Sequence, residues 1–119
     1  MKPIYNILSL EPTDNGHIAQ VCFDPDHIIY SAHFPNNPIT PGVILLQICK
    51  QCAKHILHIP PEQTDIIIQD IKMLKFTDFI IPKTNQTISI LLNHTDNTFK
   101  CEIFDESHQY AKMQFTLSA

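Results

Sequence analysis

The residues best equipped for chemistry lie in one stretch, 33–51, where His33 precedes Gly42 by nine positions. An imidazole titrates near neutrality, so it can accept and return a proton at working pH. Between the two, Pro35, Pro38 and Pro41, three of the chain's nine prolines, make a stiff loop. That loop ends at Thr40-Pro41-Gly42 and passes into an apolar run, the pattern of a loop feeding a helix N-terminus. Thr40 is predicted to cap this helix and Pro41 to take its first position. The first N–H groups of a helix lack intrahelical acceptors and are positively polarised, so they can receive an anion or a developing oxyanion. On the residues alone, His33 is equally a loop histidine satisfied by backbone, and Gly42 equally a relief of close packing.

Other chemistries fare less well. Cys49 and Cys52 form a Cys-x-x-Cys, but inside the expected helix, whereas a redox pair belongs at a helix start after a strand. With Cys22 and Cys101 they are read as reduced, partly buried thiols, and no metal site or cofactor is expected. His17, His27, His55, His58, His94 and His108 have no motif around them and are read as surface or structural. A net charge of -4, with all eight basic residues lysine, argues against nucleic-acid binding, which favours basic stripes with arginine forks. No apolar run approaches the ~20 residues of a membrane span. The N-terminal residues lack the apolar core and cleavage site of a signal peptide, so a cytoplasmic location is expected.

The elements that must position this stretch follow from the pattern of the chain. With 119 residues, 44% of them apolar, it is expected to form a single domain over 1–119. Runs 4–11 and 17–23 flank the turn signal Pro12-Thr13-Asp14-Asn15-Gly16 and predict a hairpin. His27 to Tyr30 is at most a helical turn or a bridge. The long helix should run from about Pro41 to Leu57 and stop before Pro60-Pro61. Its apolar positions 44, 45, 48, 49, 52, 53 and 56 share one stripe. Gln47, Lys50, Gln51, Lys54, His55 and His58 share the other, and Lys54, His55 and His58 are read as facing water. From Ile66 to Phe76 the run is β-branched with imperfect alternation, as in a bulged strand. A strand at 86–92 and two cleanly alternating strands around Phe99–Ile103 and Ala111–Leu117 complete an antiparallel meander. One helix cannot cover both faces of such a sheet, so the expected fold is α+β, an antiparallel sheet wrapped around one long central helix, the hotdog architecture.

The motif His33-Phe34-Pro35-x-x-Pro38-x-x-Pro41-Gly42-Val43, entering a helix with Gln51 further along, resembles the signature of the (3R)-hydroxyacyl-acyl carrier protein dehydratases of fatty-acid synthesis, the FabA/FabZ-like hotdog enzymes. The strand order agrees over nearly the whole chain. The resemblance implies a hydro-lyase acting on 3-hydroxyacyl thioesters, without cofactor, as a homodimer or trimer of dimers with an acyl tunnel at the dimer interface. It implies that His33 works on the proton at C2, that the N–H of Gly42 polarises the thioester carbonyl, and that Phe34, Pro41, Val43 and Gln51 line the substrate position. Enolate charge is best met by pre-aimed N–H donors, so the chemistry suits the motif. The family's third site residue, a Glu or Asp fourteen positions after the histidine, is here Gln47. An amide can hold water or a hydroxyl but cannot deliver a proton to leaving hydroxide. No nearby carboxylate replaces it, because the chain has none between Asp26 and Glu62. Ala32 and Asn36 stand where the family usually has glycine, and Pro82-Lys83-Thr84 where it commonly has Pro-Gly-Asp.

Three functions remain open. The first is a dehydratase on acyl carrier protein or CoA thioesters, in fatty-acid or specialised lipid or polyene synthesis. The second is a non-catalytic subunit that binds acyl carrier protein or forms a heterodimer with an active paralogue. The third is a hotdog thioesterase in which Gln47 orients a water. An acidic carrier protein meeting this negative chain would need a lysine patch, for which Lys50, Lys54, Lys72, Lys75 and Lys83 are the candidates.

Overall fold

Asp14 and Asn15 turn the chain between β1 (Tyr5–Thr13) and β2 (Gly16–Phe23), giving the expected N-terminal hairpin. The computed structural model describes residues 3–32, 36, 38–83 and 86–118. After β2 comes α1 (Ile28–Ala32), whose first turn is tied by the Ile29 N–H donating to His27 Nδ1 at 3.1 Å. Then follow α2 (Gly42–Ile56), β3 (Ile68–Phe76), β4 (Ile88–Thr95), β5 (Thr98–Phe104) and β6 (Gln109–Leu117). The six strands make one antiparallel sheet in the order β1-β2-β4-β5-β6-β3, with β1 and β3 at its edges.

The alternation in the later strands does what period-2 patterning requires. Ile88, Ile90 and Leu92 of β4, Phe99, Cys101 and Ile103 of β5, and Met113, Phe115 and Leu117 of β6 are all buried. The rings of Phe99 and Phe115 stack at the middle of this layer with centroids 6.0 Å apart. The apolar stripe of α2 enters the same core through Leu45, Ile48, Cys49, Cys52 and Ala53. Small side chains at 49, 52 and 53 let the helix come close to the sheet. This α+β arrangement is consistent with the expected hotdog, although α2 is a helix of only 15 residues.

β3 shows the expected irregularity, with register shifts between Ile68 and Asp70 and between Ile71 and Met73 in its pairing to β6. As an edge strand it stays open: Ile71, Met73, Leu74 and Phe76 each keep 40% to 47% of their surface exposed. At its far end α2 closes with a paired-bond C-cap. The Ile59 N–H donates to the Lys54 carbonyl at 2.9 Å and the His58 N–H to the His55 carbonyl at 3.0 Å, with His58 at φ 59.

Candidate functional site

The start of α2 differs from its expected capping. Pro41 is the N-cap residue, with φ -59 and ψ 139, and among the described residues no side chain caps the helix. Thr40 does not cap, because its hydroxyl is engaged 2.8 Å from the Tyr30 hydroxyl in a buried pair, while its N–H donates to the Ile80 carbonyl at 2.9 Å. The helix start is therefore fixed from both sides, by α1 through Tyr30 and by the segment after β3 through Ile80. The Ile44 N–H turns back to the Pro41 carbonyl at 3.0 Å. Among the described residues none accepts a hydrogen bond from the N–H of Gly42 or Val43. These two donors keep the positive end of the helix available to an anion or a carbonyl oxygen.

Gly42 is also a point of close packing. A β-carbon at this position would lie 2.6 Å from Cζ of Phe76 and 3.0 Å from its Cε2, so the ring fills the space a side chain would need. Both readings of Gly42, as a donor and as relief of crowding, thus have a physical basis.

The outer stripe of α2 forms a groove of about 330 Å³ lined by Gln47, Lys50, Gln51, Lys54, His55, Ile59 and Pro61. Gln47 and Gln51, one helical turn apart, meet in it as their spacing predicts. Lys54 and His55 line it too, His55 exposed to solvent as expected and Lys54 half-buried. Lys54 is held there because its ammonium donates to the Gln63 carbonyl at 2.7 Å, beyond the end of the helix. Among the described residues no carboxylate lines the groove. Its polar groups are amides, ammoniums and an imidazole, an assembly suited to groups that accept hydrogen bonds. The start of α2, with Pro41, Gly42 and Val43, is not part of the lining. His33 and Phe34, expected beside the helix start, lie outside the described residues.

Two residues of this region escape a reading of the sequence. Tyr5, at the start of β1, donates its hydroxyl to Oε1 of Gln51. Burial, and after it the neighbouring Cys52 thiol, push the Tyr5 hydroxyl up from its ordinary range, which keeps it protonated as the donor. With its carbonyl so engaged, the Gln51 amide retains its N–H groups as donors. Phe76 is the second, read from the sequence only as the end of a strand. Behind the stripe, the thiols of Cys49 and Cys52 are free and buried. That of Cys52 is pushed up to about 12 by burial and then by Cys101.

The comparisons agree with this architecture. The ApeI-like family (ApeI dehydratase) matches residues 9–114. Among curated proteins none matches the chain. Of solved structures, a chain of the dehydratase heterocomplex ApeI:P from Xenorhabdus doucetiae is 23% identical, with 98% of each chain covered and a TM-score of 0.75. An uncharacterized protein from Erwinia carotovora subsp. atroseptica is 22% identical, with 99% of this chain and 97% of that chain covered and a TM-score of 0.58. At these identities the structural likeness speaks for the fold alone, whereas the family match spans most of the sequence: the chain belongs to the ApeI-like dehydratase family.

Proposed function

We propose that this protein removes water from (3R)-3-hydroxyacyl thioesters carried on acyl carrier protein or CoA, in a FabA/FabZ-like manner. The observation that carries the reading is the family match over residues 9–114, joined to a helix start whose Gly42 and Val43 N–H groups have no described acceptor. In this reading the thioester carbonyl docks at those N–H groups and His33 takes the proton at C2. The carbonyl oxygen gathers charge as the proton leaves, and fixed donors stabilise that charge without reorganising. Gln47, with Gln51 beside it, holds the departing hydroxyl by hydrogen bonds, and His33 returns the proton to it. Phe34, Pro41 and Val43 flank the thioester, and Lys50, Lys54, Lys72, Lys75 and Lys83 offer cationic contacts to an acidic carrier.

A second reading is favoured by one observation, that the ApeI:P relative is a heterocomplex. Here the chain pairs with a paralogue that supplies the carboxylate missing at Gln47. The open edge of β3, which among the described residues has no strand beyond it and exposes apolar side chains, suits strand addition by a second hotdog chain, identical or paralogous. The thioesterase reading has no observation in its favour.

The deciding experiment is a dehydration assay on a 3-hydroxyacyl thioester with wild type, His33→Ala and Gln47→Glu. Activity in wild type that is lost in His33→Ala supports the dehydratase. A positioned general acid contributes about 10²–10⁴ in rate. Activity that arises only in Gln47→Glu, or only on adding a paralogous subunit, supports the second reading. Free thiol released without alkene would overturn both in favour of the thioesterase.

A further inference from the structure

We propose that Phe76 is a positioning residue for the donor end of α2: its ring, packed on Gly42, sets where the Gly42 and Val43 N–H groups stand relative to the edge of the sheet. The proposal rests on the dehydratase reading for its kinetic consequence, and on packing alone for its structural one.

Phe76 is the last residue of β3 and pairs with Ala111 of β6, whose side chain is fully buried. The chain just beyond it is fastened to β6 twice more, by the Thr77 N–H donating to the Tyr110 carbonyl at 2.8 Å and by the Thr77 hydroxyl donating to the Gln109 carbonyl at 2.6 Å. Three residues later Ile80, itself buried, accepts the Thr40 N–H. The backbone that carries the ring is therefore fixed on the sheet side and tied to the loop on the helix side. Between these ties the ring meets Gly42 through its outer atoms, Cζ, Cε1 and Cε2, all within 3.1 Å of where a β-carbon would sit. Phe76 is nonetheless 47% exposed, so it contributes less burial than a core aromatic. Its contact falls on the one glycine of the helix, at the helix's first residue. A ring in that place acts as a spacer, and glycine is the residue that lets the spacer come down onto the helix backbone.

The test has a structural arm and a kinetic arm. Gly42→Ala should lower Tm by about 5 °C in the wild-type background, the usual scale for about 1 kcal/mol in a domain of this size. In the Phe76→Ala background the same change should be neutral or raise Tm, because alanine is the better helix former once the ring is gone. Phe76→Ala should lower kcat on a 3-hydroxyacyl thioester by roughly 10- to 100-fold with KM little changed, as expected when a donor is displaced by a fraction of an ångström. Phe76→Met, unbranched and of similar reach, should restore most of the loss. Equal Tm losses for Gly42→Ala in both backgrounds would overturn the packing. A kcat unchanged in Phe76→Ala would overturn the positioning role. A wild type that forms no alkene while the Tm coupling persists would overturn the dehydratase reading and leave the spacer standing.

Discussion

The hydroxyl of Tyr5 donates to the side-chain carbonyl of Gln51, joining the first strand to the outer face of α2 across 46 positions of sequence. This bond decides which end of the Gln51 amide is taken and which is left to act in the groove. Tyr5→Phe removes the donor and keeps the ring, so the amide becomes free to rotate. The expected cost is about 1 kcal/mol of stability, read from the urea midpoint. On the dehydratase reading, KM should rise a few-fold with kcat little changed, since Gln51 binds rather than reacts. An unchanged KM would remove Gln51 from substrate binding.

His58 occupies the left-handed position just after the end of α2, at φ 59, where its N–H closes on the His55 carbonyl. Glycine adopts this conformation without the strain a β-carbon brings. His58→Gly should therefore stabilise the protein by roughly 0.5–1 kcal/mol in denaturant unfolding. His58→Val, β-branched at the same φ, should destabilise it by at least as much. The opposite ranking would show that the C-cap does not hold in solution.

Both helix ends show what could be read from the chain and what could not. The boundaries, the apolar stripe and the meeting of Gln47 with Gln51 follow from local periodicity, which acts over three or four residues. The bulging of β3 was legible because its apolar residues fail to alternate. Thr40 does not cap because the partner that takes its hydroxyl, Tyr30, lies on another helix, which local spacing does not report. The tether on Lys54 is not legible from spacing, because the carbonyl that holds its ammonium belongs to Gln63, beyond Pro60-Pro61. Tyr5 and Phe76 enter the site only because β1 and β3 end where they do in the sheet. No spacing rule reports that, since it depends on which strands become neighbours. His33, the residue the motif marks most strongly, lies outside the described residues.

The cysteines should differ sharply in reactivity. Cys49, Cys52 and Cys101 are buried, whereas Cys22 on β2 is partly open. Cys49 is pushed well up by its hydrogen bond with Cys101 and by burial, and Cys52 to about 12 by burial and Cys101. Only a thiolate attacks a disulfide reagent at an appreciable rate. At about pH 8 an aromatic disulfide reagent should modify Cys22 first, because it is the one of the four that solvent reaches. It should reach the other three only when the protein unfolds. Early labelling of Cys52 would mean that α2 opens readily from the core.

Tyr110 and Asp105 should shape the pH dependence of stability at both extremes. Burial pushes the Asp105 carboxyl up, but it is outweighed by the hydrogen bonds that carboxyl accepts from the Tyr110 hydroxyl and from the N–H groups of Ser107 and His108, and by the charge of His108. The carboxyl is therefore held below its ordinary range. A carboxyl lowered on folding contributes stability that is present above its unfolded value and lost as pH falls through the folded one. The Tyr110 hydroxyl is raised, first by burial and then by its bond to Asp105 and the charges of Asp105 and Asp78. Its contribution is fully present below the ordinary tyrosine range and is lost only as pH rises through the folded value. Tyr110→Phe removes one bond to Asp105 and leaves those from Ser107, at 2.8 Å, and His108, at 2.9 Å. The variant should therefore lose stability at neutral pH, and its urea midpoint should fall less steeply than that of wild type between about pH 5 and pH 2. Parallel acid limbs in the two proteins would show that the tyrosine does not hold the carboxylate in its charged form.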